Sequence, residues 1–218
     1  SFDGQTVRQA LPFRRTIGDN ADLSATQSGN YNRLLNDQHS LTVGWDLEWR
    51  QRDEKRDITE NGLPLVAEFE GQPFSARIQR QAFFVQDEWE INKQWSTYLG
   101  LRAEQIASKS QGLANPISNT SNVVTPMVHL NYKFDAAGRD LVRASVTRSY
   151  KAPDLSALMA RPFINNLFSD TSKTNTELSP DRMGNPTLLP ELATGLDVAL
   201  EKYLPAGGLI SIGVFYRQ

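Results

Sequence analysis

Only a few side chains in this sequence have the chemistry to bind or transform a ligand, and their spacing limits what they could do. Cysteine is absent, so neither a disulfide nor a thiolate metal site is available. The two histidines, His39 and His129, fall in separate stretches with no second imidazole to help either. His129 therefore reads as a solvated or hydrogen-bonded residue rather than a metal ligand. Asp197 and Glu201 share one face of an extended chain but stand ~13 Å apart, too far for a paired-carboxylate acid–base site. No nucleophile sits beside a base and no glycine loop is built to cradle phosphate, so neither an enzyme nor a cofactor is expected. The cationic run Arg50, Arg52, Lys55 and Arg56 could present guanidinium forks to a phosphate or carboxylate, or be a solvated face. A net formal charge of −2 supplies no long-range field for nucleic acid.

The richest set of ligand-contacting chemistry lies in residues 151–190, about forty residues with no periodic pattern and therefore expected to lack regular structure. Arg161, Phe163, Asn165, Asn166, Phe168, Lys173 and Arg182 combine aromatic, amide and cationic groups there. Such a mixture suits a small polar molecule with an apolar body, and these seven are the candidate substrate contacts. The alternative is a loop that touches no ligand. Pro153, Asp154 and Leu155 on one side, and Gly184, Asn185, Pro186, Pro190 and Glu191 on the other, bracket it. Proline and glycine fix backbone direction, so these residues are expected to anchor the loop's base.

The elements that must hold this loop are read from period-two alternation. In residues 83–107, Phe83, Val85, Trp89, Ile91, Trp95, Thr97, Leu99, Leu101 and Ala103 alternate with mostly polar partners across the turn Asn92-Lys93. Both tryptophans flank the turn on the apolar face, where a membrane interface has use for an apolar ring carrying one N–H. Gln86, Asp87 and Trp89 at this rim are expected to serve packing and turn hydrogen bonding. From His39, the residues Leu41, Val43, Trp45, Leu47 and Trp49 alternate likewise. Eleven residues at ~3.3 Å, tilted by ~40°, climb roughly 28 Å, enough to cross a bilayer's hydrocarbon. The expected strands are 39–50, 81–91, 95–107, 123–134, 140–150, 191–203 and 209–218. Residues 1–37 are the least legible, with some alternation over Val7–Phe13 and an Asn-, Asp-, Ser- and Gly-rich run from Gly18 to Asn32 that suggests a turn or a weak strand, and 50–80 and 108–122 read as long polar excursions.

Short connections alternate with long ones, and apolar-face aromatics gather near both strand ends, with Trp89, Trp95, Tyr132 and Phe134 at one rim and Trp49, Phe83 and Tyr216 at the other. These are features of an all-β, antiparallel transmembrane barrel with short periplasmic turns and long extracellular loops. A mean hydropathy of −0.47 is compatible with that architecture, because only alternate residues of each strand meet lipid. No apolar run approaches the ~20 residues of a membrane helix. A soluble β-sandwich that binds a ligand satisfies the same alternation and would dissolve without detergent. The chain lacks an N-terminal signal and stops inside an alternating run, so it is expected to be a piece of something longer, with residues 1–218 forming part of one barrel domain.

The segments FVQDEW, WSTYLGLRAE and VVTPMVHLNYKF, the pair RSYKAPDL and GNPTLLPE, and the final strands ending GVFYRQ are similar to the barrel domain of TonB-dependent outer-membrane receptors. The match runs from about Gln38 to the C-terminus. The resemblance implies a barrel of ~22 strands filled by a plug domain, in the bacterial outer membrane, taking up a scarce small-molecule substrate with energy relayed by TonB. Iron-siderophore, haem, cobalamin and saccharide are the cargo classes implied. Its partners would be outer-membrane lipid and lipopolysaccharide, with the plug and TonB engaged through parts that lie outside this chain. A passive porin-like channel shares the same strand physics without a plug.

Overall fold

In the computed structural model, residues 13–134, 139–164, 177, 180–204 and 207–218 are described. Among the described residues eleven strands are formed: β1 Arg14–Leu34, β2 His39–Glu60, β3 Leu63–Pro64, β4 Pro73–Glu90, β5 Trp95–Gln111, β6 Ile117–Lys133, β7 Leu141–Lys151, β8 Pro162–Phe163, β9 Arg182–Met183, β10 Glu191–Tyr203 and β11 Leu209–Arg217. One short helix, α1, covers Leu155–Leu158. The long strands make one antiparallel sheet in the order β1-β2-β4-β5-β6-β7-β10-β11, with β3 appended to β2. The order follows the chain, as in an up-and-down barrel wall. The sheet is open, since β1 and β11 each pair on one side only.

The tight hairpins are closed by local side-chain chemistry. Asn36 Oδ1 accepts from the backbone N–H groups of Gln38 and His39 at 2.8 and 2.9 Å, and Asn92 Oδ1 accepts from those of Gln94 and Trp95 at 2.9 Å each. The same Asn-x-Gln device thus turns two hairpins, because a short amide can mimic a backbone turn. Their register sets which side chains share a face. Leu41, Val43, Leu99, Leu101, Val128, Leu130, Leu196, Val198, Ile212 and Val214 fall on one face of the sheet. Gln86, Arg102, His129, Asn131, Arg143, Asp197 and Glu201 fall on the other.

The polar face is the concave one. The buried cluster and α1 lie against it, and Arg80 Nη1 on β4 donates to the Tyr150 hydroxyl of β7 at 3.2 Å although β5 and β6 lie between them; Tyr150 pairs with Leu192, on the apolar side by register, so the top of β7 folds over the polar face to make this bond. Part of that approach comes from β7 itself. Its ladder with β6 ends at Met127↔Thr147, whereas β6 continues beside β5 up to Ser110↔Ile117. Above Thr147, β7 follows β10 alone and carries Tyr150 inward.

Several strands differ from the sequence expectation. Residues 14–34 form a 21-residue strand along the full length of β2. The expected excursion over 50–80 contracts to 61–72, because β2 runs on to Glu60 and β4 begins at Pro73. The excursion over 108–122 contracts to 112–116. Residues 151–190 are not without regular structure, since α1 and the β8/β9 ladder lie within them. β2 has 22 residues and climbs ~55 Å at ~3.3 Å per residue and ~40° tilt, well beyond a ~30 Å hydrocarbon layer. Outside an apolar layer both faces can be polar, so a strand continues there without the alternation that would announce it.

Candidate functional site on the concave wall

The buried core of this chain lies against the upper half of the concave face. Phe74, Ala76 and Ile78 of β4, Ile106 of β5 and Val123 of β6 enclose Leu155, Leu158 and Met159, with Phe69 from the 61–72 connection. α1 is therefore a hydrophobic foot that docks the start of the 151–190 segment inside the curve of the sheet. Asp154 precedes it, its carbonyl accepting from the N–H groups of Ala157 and Leu158 at 3.0 and 3.2 Å. The far flank returns to the same place. Asn185 N–H donates to the Ala157 carbonyl at 2.7 Å, and Asn185 Oδ1 closes a turn with Thr187 N–H at 3.0 Å. Gly184 passes so close that an added Cβ would lie 2.0 Å from the Met159 carbonyl oxygen, which explains glycine there. The flanking residues thus meet: 153–159 and 184–187 form one base, with Pro190 and Glu191 leading into β10.

Arg161 fastens this base to the wall. It is 1% exposed, and its guanidinium faces Glu54 of β2 at 3.8 Å and Glu70 at 3.6 Å. It also donates to the Arg56 carbonyl at 3.1 Å and lies 5.4 Å over the Phe74 ring. Burial, and then the Arg56 guanidinium, push its pKa below the usual arginine value, while Glu70 and Glu54 pull it back up. Arg56 pairs with Glu54 at 2.6 Å and stacks 4.6 Å over Phe163. Phe163 in turn is opposite Arg182 in the β8/β9 ladder.

Below this cluster a ladder of charge crosses the wall. Arg102 bonds Asp46 and Glu104, each at 2.5 Å. Glu104 accepts from the Tyr150 hydroxyl at 2.5 Å, and Arg80 bridges Tyr150 to Glu48 at 3.0 Å. Cations and carboxylates alternate, so the wall presents a matched surface rather than a field of one sign. Asp197 and Glu201 likewise each take an arginine, Arg217 at 2.8 Å and Arg143 at 3.2 Å. His129 meets the Tyr98 ring edge-on at 5.9 Å. Among the described residues no group of three potential ligands is placed to hold a metal ion.

Of the candidate substrate contacts, the structure therefore brings Arg161, Phe163 and Arg182 into one neighbourhood. Arg161 is enclosed there, whereas Phe163 and Arg182 are exposed. Asn165, Asn166, Phe168 and Lys173 lie outside the described residues. The run Arg50, Arg52, Lys55 and Arg56 is not one patch, because alternation sends Lys55 to the convex face and the three arginines to the concave one. Arg52 meets Asp22 at 3.1 Å, and Arg50 lies 3.9 Å from Glu48. At the short-turn rim, the Tyr98 hydroxyl donates to Gln86 Oε1, and His39 Nδ1 is 2.7 Å from Asp87 Oδ2. Trp89 stacks on His39 with centroids 5.1 Å apart. Sequence reasoning missed Glu54, Glu70 and Tyr150, since nothing in their local pattern marks them. They acquire a role only when curvature and loop docking bring distant segments together.

No curated protein matches this sequence. Solved structures do match its fold. The unliganded ferric citrate transporter FecA superposes with a TM-score of 0.67 at 15% identity, covering 94% of this chain and 28% of that one. The alcaligin outer-membrane receptor FauA from Bordetella pertussis gives 0.54 at 13% identity, covering 94% and 30%. The siderophore receptor PiuA from Acinetobacter baumannii gives 0.54 at 14% identity, covering 92% and 32%. The chain thus spans about a third of the length of the receptors it resembles. The family described as TonB dependent receptor-like, beta-barrel matches residues 1–218. Its members are outer-membrane receptors rather than enzymes, and an apolar convex face, a charge-laddered concave face and a strand order that follows the chain are the corresponding architecture. This chain belongs to the TonB-dependent receptor β-barrel family.

Proposed function

We propose that this chain forms part of the wall and one ligand-facing loop of an outer-membrane receptor that takes up a scarce iron chelate with energy relayed by TonB. The observation that carries the reading is the docked base of the 151–190 segment, formed by residues 153–161 and 184–187. That base is fixed inside the curve by Leu155, Leu158, Met159 and Arg161, and it leaves Phe163 and Arg182 exposed beside Arg56 of β2. A loop of that length anchored over a concavity is where specificity usually resides. The cargo class draws support from the fold's neighbours, described as a ferric citrate transporter, an alcaligin receptor and a siderophore receptor. Under this reading the convex apolar face meets lipid, the concave face meets a plug domain, and the protein resides in the bacterial outer membrane.

Deleting residues 165–177 while keeping the anchors Pro153 and Gly184 tests it. Binding of ferric siderophore at the cell surface should fall at least tenfold, ~1.4 kcal/mol, with the barrel still assembled. Unchanged affinity would assign ligand contact to other loops. Growth on ferric siderophore that persists without TonB would instead favour a passive channel.

A further inference from the structure

The top of β7 leaves the sheet where β6 stops offering it donors. Backbone groups of β6 alternate between neighbours: Lys133 N–H donates to the Gln94 carbonyl on the β5 side at 2.9 Å, and Phe134 N–H donates to the Asp140 carbonyl on the β7 side at 3.1 Å. With unbroken register, the even residues of β6 address β7, and above Val128↔Val146 the next of them is Pro126. Proline has no N–H to give, so the rung that would join Pro126 to Arg148 cannot close. The β6–β7 ladder accordingly ends at Met127↔Thr147, and the freed end of β7 must be held by other means.

Tyr150 supplies that hold. Its pairing with Leu192 assigns it to the apolar side, yet its hydroxyl lies over the polar face, where it donates to Glu104 at 2.5 Å and accepts from Arg80 at 3.2 Å. Hydrogen bonds to charged partners are the stronger kind. The ring packs against the buried cluster that includes Leu155, Leu158 and Met159, so one side chain joins the charged wall to the docked base. α1, which follows, has four residues and no side-chain cap from Asp154. A single turn does not fix its own place. Arg161 fastens the exit of α1 and Asn185 fastens the returning flank, which leaves the entry to Tyr150. We infer that Tyr150 is a positioning residue for cargo capture: its hydroxyl draws the end of β7 over the wall and sets the point from which the 151–190 segment enters the concavity. Without that bond the docked arrangement is populated for a smaller fraction of the time, and apparent affinity falls by that fraction. This inference rests on the receptor reading above.

The test uses the whole receptor in lipid vesicles, with nitroxide labels on Thr120→Cys of β6 and Lys151→Cys at the end of β7, both exposed positions. In Tyr150→Phe, which removes the hydroxyl and keeps the ring, the distance between labels read by pulsed electron spin resonance should shorten as β7 falls back beside β6. Affinity for a ferric hydroxamate or catecholate chelate, whichever the wild-type receptor binds, should drop about tenfold with the urea midpoint of the barrel unchanged. Tyr98→Phe, which removes a hydroxyl bonded to Gln86 at the short-turn rim, should leave the distance unchanged and the affinity within about twofold. An unaltered distance in Tyr150→Phe overturns the inference. So does a shortened distance with undiminished affinity, or an equal loss of affinity in Tyr98→Phe. A wild-type receptor that binds no ferric chelate removes the receptor reading instead, and the label distances then still decide whether Tyr150 places the segment.

Discussion

Arg161 shows how a single side chain can have a different use from the one its type advertises. A cation in a long loop reads as a ligand contact, but with Glu54 and Glu70 on either side its charge is spent within the protein. Without Arg161, Glu54 keeps its 2.6 Å pair with Arg56 but Glu70 loses its ion pair, and breaking a buried ion cluster costs ~3 kcal/mol or more. Arg161→Ala should therefore loosen the docked base while leaving the strands in place. Hydrogen exchange at Leu155–Leu158 is expected to accelerate about a hundredfold, with the β2–β4 ladder unchanged. Equal protection in the variant would mean that the apolar foot holds α1 without help from the ion pairs. The same residue marks a limit of sequence reading. Its neighbours Glu54 and Glu70 are 107 and 91 positions away and in different elements, and no local pattern couples them.

At the scale of the element, what was legible is what physics makes periodic. β4, β5, β10 and β11 show in the sequence because Phe83, Val85, Leu99, Leu101, Leu196, Val198, Ile212 and Val214 repeat every second residue against polar partners. β1 was illegible for the opposite reason. Thr16, Asp19, Ser24, Gln27 and Asn30 offer little apolar contrast between faces, and its extended state is dictated by the ladder with β2. The upper half of β2 escaped notice because its charges alternate as Arg52, Glu54 and Arg56 against Asp53 and Lys55, so both faces are polar, whereas β4 begins with Phe74, Ala76 and Ile78 on the concave face and moves its apolar side to the convex face by Phe83, which breaks a single period-two reading. α1 is a single turn whose apolar residues suit a foot rather than a periodic face. The strand faces themselves yield a test by charge. Leu99→Arg, on the apolar convex face, should cost ~2–4 kcal/mol of barrel stability near a bilayer's midplane. Ser145→Arg, on the concave face beside His129 and Asp197, should cost far less. Urea-midpoint measurements in lipid vesicles read the difference, and equal costs would contradict a lipid-facing convex side.

The whole sheet has a property that no residue or strand has by itself: two open edges. Among the described residues β1 pairs only with β2 and β11 only with β10, so the outer row of backbone groups on each meets no other strand there. Open ladders recruit other strands, and an apolar convex face with no lipid recruits other apolar surfaces. Leu101, Val128, Leu196, Ile212 and Val214 are 43–67% exposed on that face. Among the described residues the buried hydrophobic cluster lies at the docked base and the upper concave wall. A barrel hides its edges by closure, and a bilayer supplies the solvent its outside needs. Residues 1–218 expressed alone are therefore expected to associate or remain unfolded in aqueous buffer, and to gain ordered strand structure only in detergent or vesicles. Size-exclusion chromatography with light scattering, and a thermal melt followed by circular dichroism, decide the matter. A single monomer peak in detergent-free buffer together with one cooperative transition would show that this sheet needs neither closure nor lipid, and a soluble sandwich would then account for the alternation better than a barrel wall.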